Sequence, residues 1–161
     1  MQIVYQDQIE KFLKSKRIAV VGISRKQQSY SRNLYIALKS RNYDLIPVNP
    51  LAEEIDGEKC CRSISDISPK PDAVLLVTKN IPAAELLDEC SRSGIRNLWI
   101  YNKIEDKELE NGLIRQAGQA GINLITGYCP IMFLSNSEFF HRLHGFGLKL
   151  TGKYPKARIL T

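Results

Sequence analysis

The four cysteines form no Cys-x-x-Cys pair: Cys60 and Cys61 are adjacent, and Cys90 and Cys129 stand alone. Such spacing supports neither a disulfide framework nor a structural zinc site. No apolar run approaches a membrane span. The opening residues, Met1-Gln2-Ile3-Val4-Tyr5-Gln6-Asp7, lack the basic-then-apolar order of a secretory leader. A cytoplasmic protein without membrane contact is expected. Gly-x-x-x-x-Gly-Lys-[Ser/Thr] is missing too, which argues against ATP hydrolysis of the usual kind. There is no internal repeat, low-complexity tract or coiled-coil pattern.

What is present fits one domain with a real core, since 161 residues leave no room for two. Apolar strands alternate with helical segments. Arg17–Ser24 is a nearly unbroken apolar run ending near a glycine. Continuous rather than alternating hydrophobicity marks a strand buried on both faces. Its core is Ile18–Ile23, and further strands are expected at Leu45–Val48, Ala73–Val77, Asn97–Tyr101 and Ile122–Thr126. Helices are expected over Gln8–Ser15, Tyr30–Ser40, Pro82–Arg92 and Asp106–Ala120, with a last one starting near Asn136. Tyr30, Leu34, Ala37 and Leu38 share one helical face, as do Leu109, Leu113 and Ala117. Ser29 is a good N-cap, and Asn42 suits the left-handed residue that ends a helix. Residues 51–71 read as loop with one short helix near Ser63–Ile67.

Five strands separated by helices predict an α/β fold: a doubly wound, Rossmann-like parallel sheet with helices on both faces. Right-handed crossovers favour the order 3-2-1-4-5. Ligands of such sheets sit beyond the carboxyl ends of the strands, where the order reverses. Gly22–Arg25, Asn49–Pro50, Thr78–Asn80 and Tyr101–Lys103 therefore lie along one rim.

The turn after the first strand keeps only the first glycine of Gly-x-Gly-x-x-Gly, being Gly22 followed by Ile23, Ser24, Arg25, Lys26 and Gln27. The second strand ends in Asn49, where an NAD enzyme carries an acidic residue for the ribose hydroxyls. In their place stand Arg25, Lys26 and Arg32, with hydroxyls at Ser24, Ser29 and Ser31. Arginine offers a planar fork to phosphate and lysine a point charge. The helix N-terminus adds unpaired amides that attract anions. This turn suits a diphosphate attached to a ribose that is itself phosphorylated, the character of coenzyme A and also of NADP.

The motifs resemble the small stand-alone CoA-binding domain proteins, a family related to the CoA-binding domain of succinyl-CoA synthetase. The resemblance rests on Val20-Val21-Gly22-Ile23-Ser24 with Ser29-Tyr30-Ser31-Arg32, and on Asn42 through Pro50 with its Pro-Val-Asn-Pro. Gly57, Ser63-Ile64, Asp66-Ile67, Asp72 and the closing Gly127-Tyr128-Cys129-Pro130 extend it over residues 8–132. It implies a domain over 1–135 that binds CoA or acyl-CoA, with Gly22, Ile23 and Ser24 at the diphosphate. Arg25 and Lys26 would be charge partners, Asn49 and Pro50 would border ribose and adenine, and Thr78 and Lys79 would cover the adenine's other side. Ser29, Tyr30, Arg32 and Cys129 complete the implied site. The chain departs from the family where Gln-x-Gly is usual after the fourth strand, having Tyr101-Asn102-Lys103. No ATP-grasp portion or phosphorylated-histidine segment is visible, so a non-catalytic module is expected.

Other constellations are weaker. Cys129 could meet the CoA thiol if its own thiolate were favoured; a small residue at a tight turn is the plainer reading. Glu138, His141 and His144 recur every third residue but drift around a helix, reading as exposed groups rather than metal ligands. Lys103, Glu105 and Asp106 read as a helix N-terminal cluster. Much of the net charge of +6 falls in residues 136–161, a basic helix and tail with Arg142, Lys149, Lys153, Lys156 and Arg158 against Glu138. A solvated helix face accounts for that without nucleic acid. Phe139, Phe140, Leu143 and Phe146 would serve as core or homodimer contacts. Two alternatives stay open: an NAD(P)-binding enzyme or redox sensor with an unusual turn, and a protein that binds a partner through the basic helix.

Overall fold

Residues 4–134 are described by the computed structural model. Helix α1 (Gln6–Leu13) leads into β1 (Arg17–Val21), α2 (Tyr30–Lys39) and β2 (Asp44–Val48). A small hairpin follows, β3 (Glu54–Ile55) with β4 (Glu58–Lys59), then β5 (Ala73–Leu76), α3 (Ala83–Arg92), β6 (Asn97–Ile100), α4 (Lys107–Gln119) and β7 (Asn123–Thr126). Single 3-10 turns occur at Ile64–Asp66 and Pro130–Phe133. The α/β class and the doubly wound parallel sheet are as the apolar runs required.

The unbroken runs are explained by burial on both sheet faces. Ile18 and Val20 pack with Phe12, Leu34, Leu38 and Trp99. Ala19 and Val21 point the other way, against Leu86, Leu87, Leu113 and Ala117. Trp99 is fully buried, meets Phe12 edge-on at 5.1 Å, and donates from Nε1 to the Tyr128 carbonyl at 2.9 Å. That bond ties the segment after β7 to the core. Local signals also held: the Ser29 hydroxyl accepts from the Arg32 amide, and Asn42 has φ 62°. Asp106 caps α4 by accepting from the Glu108 and Leu109 amides. Leu113 and Ala117 of the α4 stripe are buried as expected, and only its first position differs. Leu109 is exposed, and Glu110 is buried in its place, accepting from Thr126 Oγ1 at 3.3 Å.

The strand order corrects the expectation. The sheet runs β2-β1-β5-β6-β7, so the five strands lie 2-1-3-4-5 rather than 3-2-1-4-5. Pro47 gives the reason. It lies in β2 opposite Val20, and its carbonyl points away from β1 to accept from the Cys61 amide at 3.0 Å. A proline nitrogen cannot donate to a ladder, so a strand carrying one belongs at a sheet edge. The edge is covered by Cys61, whose carbonyl accepts from the Asn49 amide at 3.0 Å. The third strand then pairs directly with β1, Ile18 opposite Ala73 through Val21 opposite Leu76. Order reversal falls between β1 and β5, and the crevice expected at the reversal moves there with it.

The β3–β4 hairpin was not expected within the loop. Its turn is Asp56-Gly57 with φ 52° and 79°, the paired left-handed residues of a two-residue hairpin.

Candidate nucleotide site

At the β1–β5 crevice, Gly22 has φ +83° and its amide donates to the Val48 carbonyl at 2.9 Å. A Cβ built there would lie 2.1 Å from Thr78 Cγ2. Only glycine lets the β1 turn pass so close to the end of β5. The Ile23 side chain is buried, so its backbone is what faces the rim. Its carbonyl accepts from Asn49 Nδ2 at 2.8 Å, while Asn49 Oδ1 accepts from the Leu51 amide at 2.9 Å. Asn49 thus stitches the end of β2 to the first turn, with both ends of its side chain engaged.

The turn itself is shaped by hydroxyls. The Ser24 amide donates to Ser31 Oγ at 3.0 Å, the Lys26 amide to Ser24 Oγ at 3.1 Å, and Ser29 and Ser31 hydroxyls lie 3.2 Å apart. The amides of Gly22 and Ser24 are therefore already bonded within the protein. Arg25 and Lys26 are exposed on the outer curve, beside the first turn of α2. Arg32 is different. Only 5 % exposed, it donates from Nη1 to the Ser24 carbonyl at 3.3 Å and from Nη2 to the Asp56 carboxylate. Its charge is matched internally, so the exposed cations of the turn are Arg25 and Lys26.

A second cluster joins the far side of the rim. The Tyr30 ring stacks on Tyr101 with centroids 4.5 Å apart and planes at 17°, and its hydroxyl lies 2.8 Å from Cys129 Sγ. Burial and then the neighbouring Cys129 push the Tyr30 phenol pKa upward. Tyr30, at the first turn of α2, is 38 % exposed and packs against the segments that follow β6 and β7. Thr78 Oγ1 accepts from the Asn80 amide at 3.1 Å, and Lys79 is exposed at the end of β5.

On the α3 side of the sheet, a cleft of about 440 Å³ opens beside the same strand ends. Val21, Val48, Pro50 and Ile81 give it an apolar floor, with Arg62 and Arg92 among the polar groups around it. That volume is within the range of small-ligand sites, roughly 300–1,000 Å³. Two carboxylates in its wall are already engaged: Glu89 accepts from the Ser65 amide at 2.9 Å, and Asp88 from Gln116. Of the expected residues, Pro50 lines this cleft; Arg62, Ile81 and Arg92 were not foreseen. They come from three separate segments, and only the pairing of β5 with β1 brings them together.

Among the described residues no group of three His, Cys, Asp or Glu side chains could hold a metal. Glu138, His141, His144 and the basic helix lie outside the described residues, as does the proposed homodimer surface. None of Cys60, Cys61, Cys90 and Cys129 is joined in a disulfide. No helix among the described residues is long and apolar enough to cross a membrane.

Comparison with known proteins gives a consistent result. The family model described as a CoA binding domain matches residues 16–135. An acetate–CoA ligase (ADP-forming) of Methanocaldococcus jannaschii is 29 % identical over 118 residues, covering 71 % of this chain but only 17 % of the ligase. The chain thus spans about a sixth of that relative's length. YneT of Bacillus subtilis is 28 % identical over 95 residues, 59 % of this chain and 70 % of that protein. A solved structure of a hypothetical protein from Pyrococcus horikoshii OT3 superposes with a TM-score of 0.66 at 29 % identity, covering 78 % of this chain and 85 % of that one.

Proposed function

Since the chain belongs to the CoA binding domain family, we propose that it binds coenzyme A or an acyl-CoA across the carboxyl rim of its sheet. In this reading it acts without catalysis, as a carrier or sensor. The observation that carries the proposal is the β1–β5 crevice. There Gly22 brings the first turn against Thr78, while Arg25, Lys26 and the start of α2 present positive charge. A diphosphate has its natural partners at such a turn. The adenosine enters the cleft floored by Val21, Val48, Pro50 and Ile81, and Thr78 and Lys79 cover it from the end of β5. The thiol arm runs along the rim to Tyr30, Tyr101 and Cys129. Four cysteines outside any disulfide favour the cytoplasm as the setting.

Because the chain spans so little of the ligase it resembles, ligase chemistry is not proposed for it. Isothermal titration tests the reading with CoA, 3′-dephospho-CoA and NADP in parallel. Binding of CoA in the micromolar range or tighter is expected. No heat with CoA, or binding of NADP alone, would contradict it.

A further inference from the structure

We infer that Arg32 is a positioning residue that aims the Arg25 amide at the ligand's diphosphate, with Asp56 of the hairpin turn as its fixed counter-ion. The inference rests on the CoA reading of the rim. It begins from peptide geometry. In a trans peptide the carbonyl and the following amide hydrogen point in opposite directions from one plane. The Ser24 carbonyl is turned inward onto Arg32 Nη1 at 3.3 Å. The amide of Arg25, in the same plane, therefore points outward. Among the described residues no protein group accepts from it.

Three amides close to it are engaged instead. The Gly22 amide goes to Val48, the Ser24 amide to Ser31 Oγ, and the Lys26 amide to Ser24 Oγ. Arg25 thus supplies an outward donor of the turn as well as its first exposed cation. A buried guanidinium is costly to keep unless it is paired. Here Asp56 pairs it, at a turn residue held left-handed with φ 52°. One guanidinium spans the turn and the β3–β4 hairpin. A second ion pair, Lys39–Glu58 at 2.7 Å, also fastens the hairpin to α2, but it is half exposed and far along the helix from Ser24. It is the natural control.

The test compares wild type with Arg32→Gln, Asp56→Asn and Glu58→Gln. Each is titrated with CoA and with adenosine, and the Arg25 amide is followed by ¹⁵N–¹H NMR. Asparagine tolerates the left-handed turn, so Asp56→Asn is expected to fold even if Arg32→Gln does not. In wild type, CoA should move the Arg25 amide proton strongly downfield. In Arg32→Gln and Asp56→Asn that shift should shrink, and CoA affinity should fall about tenfold, the scale of one hydrogen bond made by a charged group. Adenosine binding and the Glu58→Gln titration should stay at wild-type values. Unchanged CoA affinity in a folded Asp56→Asn or Arg32→Gln protein would overturn the inference while leaving CoA binding intact. So would an Arg25 amide that ignores CoA, or a Glu58→Gln loss as large as that of Asp56→Asn. A wild-type protein that gives no CoA signal at all would instead overturn the reading of the site, and this inference with it.

Discussion

Replacing Gly22 by alanine probes the crevice where the β1 turn passes close to the end of β5. The new methyl carbon would lie 2.1 Å from Thr78 Cγ2 and 2.5 Å from Thr78 Cβ. Rotating the threonine side chain relieves the first contact but not the second, because Cβ is fixed to the backbone. The β1 turn and the end of β5 must therefore separate. Alanine at φ +83° also adds a left-handed backbone cost of about 1–2 kcal/mol. Displacing a packed segment adds about 1–3 kcal/mol. The loss of roughly 2–5 kcal/mol compares with a total stability of about 5–15 kcal/mol for an ordinary domain. At about 2–4 °C per kcal/mol, Tm should fall by roughly 4–20 °C. Thermal melts followed by circular dichroism measure this directly. Below the melt, CoA affinity should drop by more than about tenfold, because the turn proposed to meet the diphosphate has moved. A Gly22→Ala/Thr78→Gly protein, which removes both clashing atoms, should lose less than the sum of its two single changes, by about 1–3 kcal/mol. A Gly22→Ala protein that melts within about 2 °C of wild type, less than the shift from 1 kcal/mol, and binds CoA as tightly would refute the reasoning.

Three further expectations follow from the same structure. Arg25→Ala with Lys26→Ala should weaken CoA about three- to thirtyfold at low salt and leave adenosine unchanged, the gap narrowing as salt rises; equal losses for both ligands would remove the charge role. Trp99→Phe leaves the Tyr128 carbonyl without its 2.9 Å donor and part of the core unfilled. Urea unfolding should show a loss of about 2–4 kcal/mol, and a loss within error would contradict the packing described. Burial pushes the Cys90 thiol up to about 12, whereas in the unfolded chain it ionises near its ordinary value. The fold therefore holds the proton longer, and stability should decline as pH rises from that ordinary value toward about 12. Cys90→Ala should flatten this alkaline slope whatever its effect at neutral pH, and an unaltered slope would assign it elsewhere.

Much of the fold was legible because its signals are local. The run Ile18–Val21 is buried on both faces, Ser29 caps α2, and Asn42 takes the left-handed turn it suits. The strand order was legible too, but in a residue read only as part of a motif. Pro47 excludes β2 from the sheet interior, and that alone separates 2-1-3-4-5 from 3-2-1-4-5. The hairpin at residues 54–59 was carried by Asp56-Gly57, hidden by arms too short to show alternation. Arg32 counts as a phosphate-facing cation in sequence, since nothing near it in the chain reveals Asp56 as its partner 24 residues on. The cleft beside Pro50 depends on which strands are neighbours, and Arg62 and Ile81 enter it only once β5 lies against β1. Tyr101, noticed as a departure from the family pattern, owes its place to stacking on Tyr30.

A crystal structure of the protein grown with CoA would locate the ligand on the rim. Diphosphate density is expected within hydrogen-bonding reach of the Arg25 amide and beside Lys26, with adenine against Pro50 in the α3-side cleft. A rim left empty at saturating CoA, or CoA bound away from the ends of β1 and β5, would contradict the proposed site.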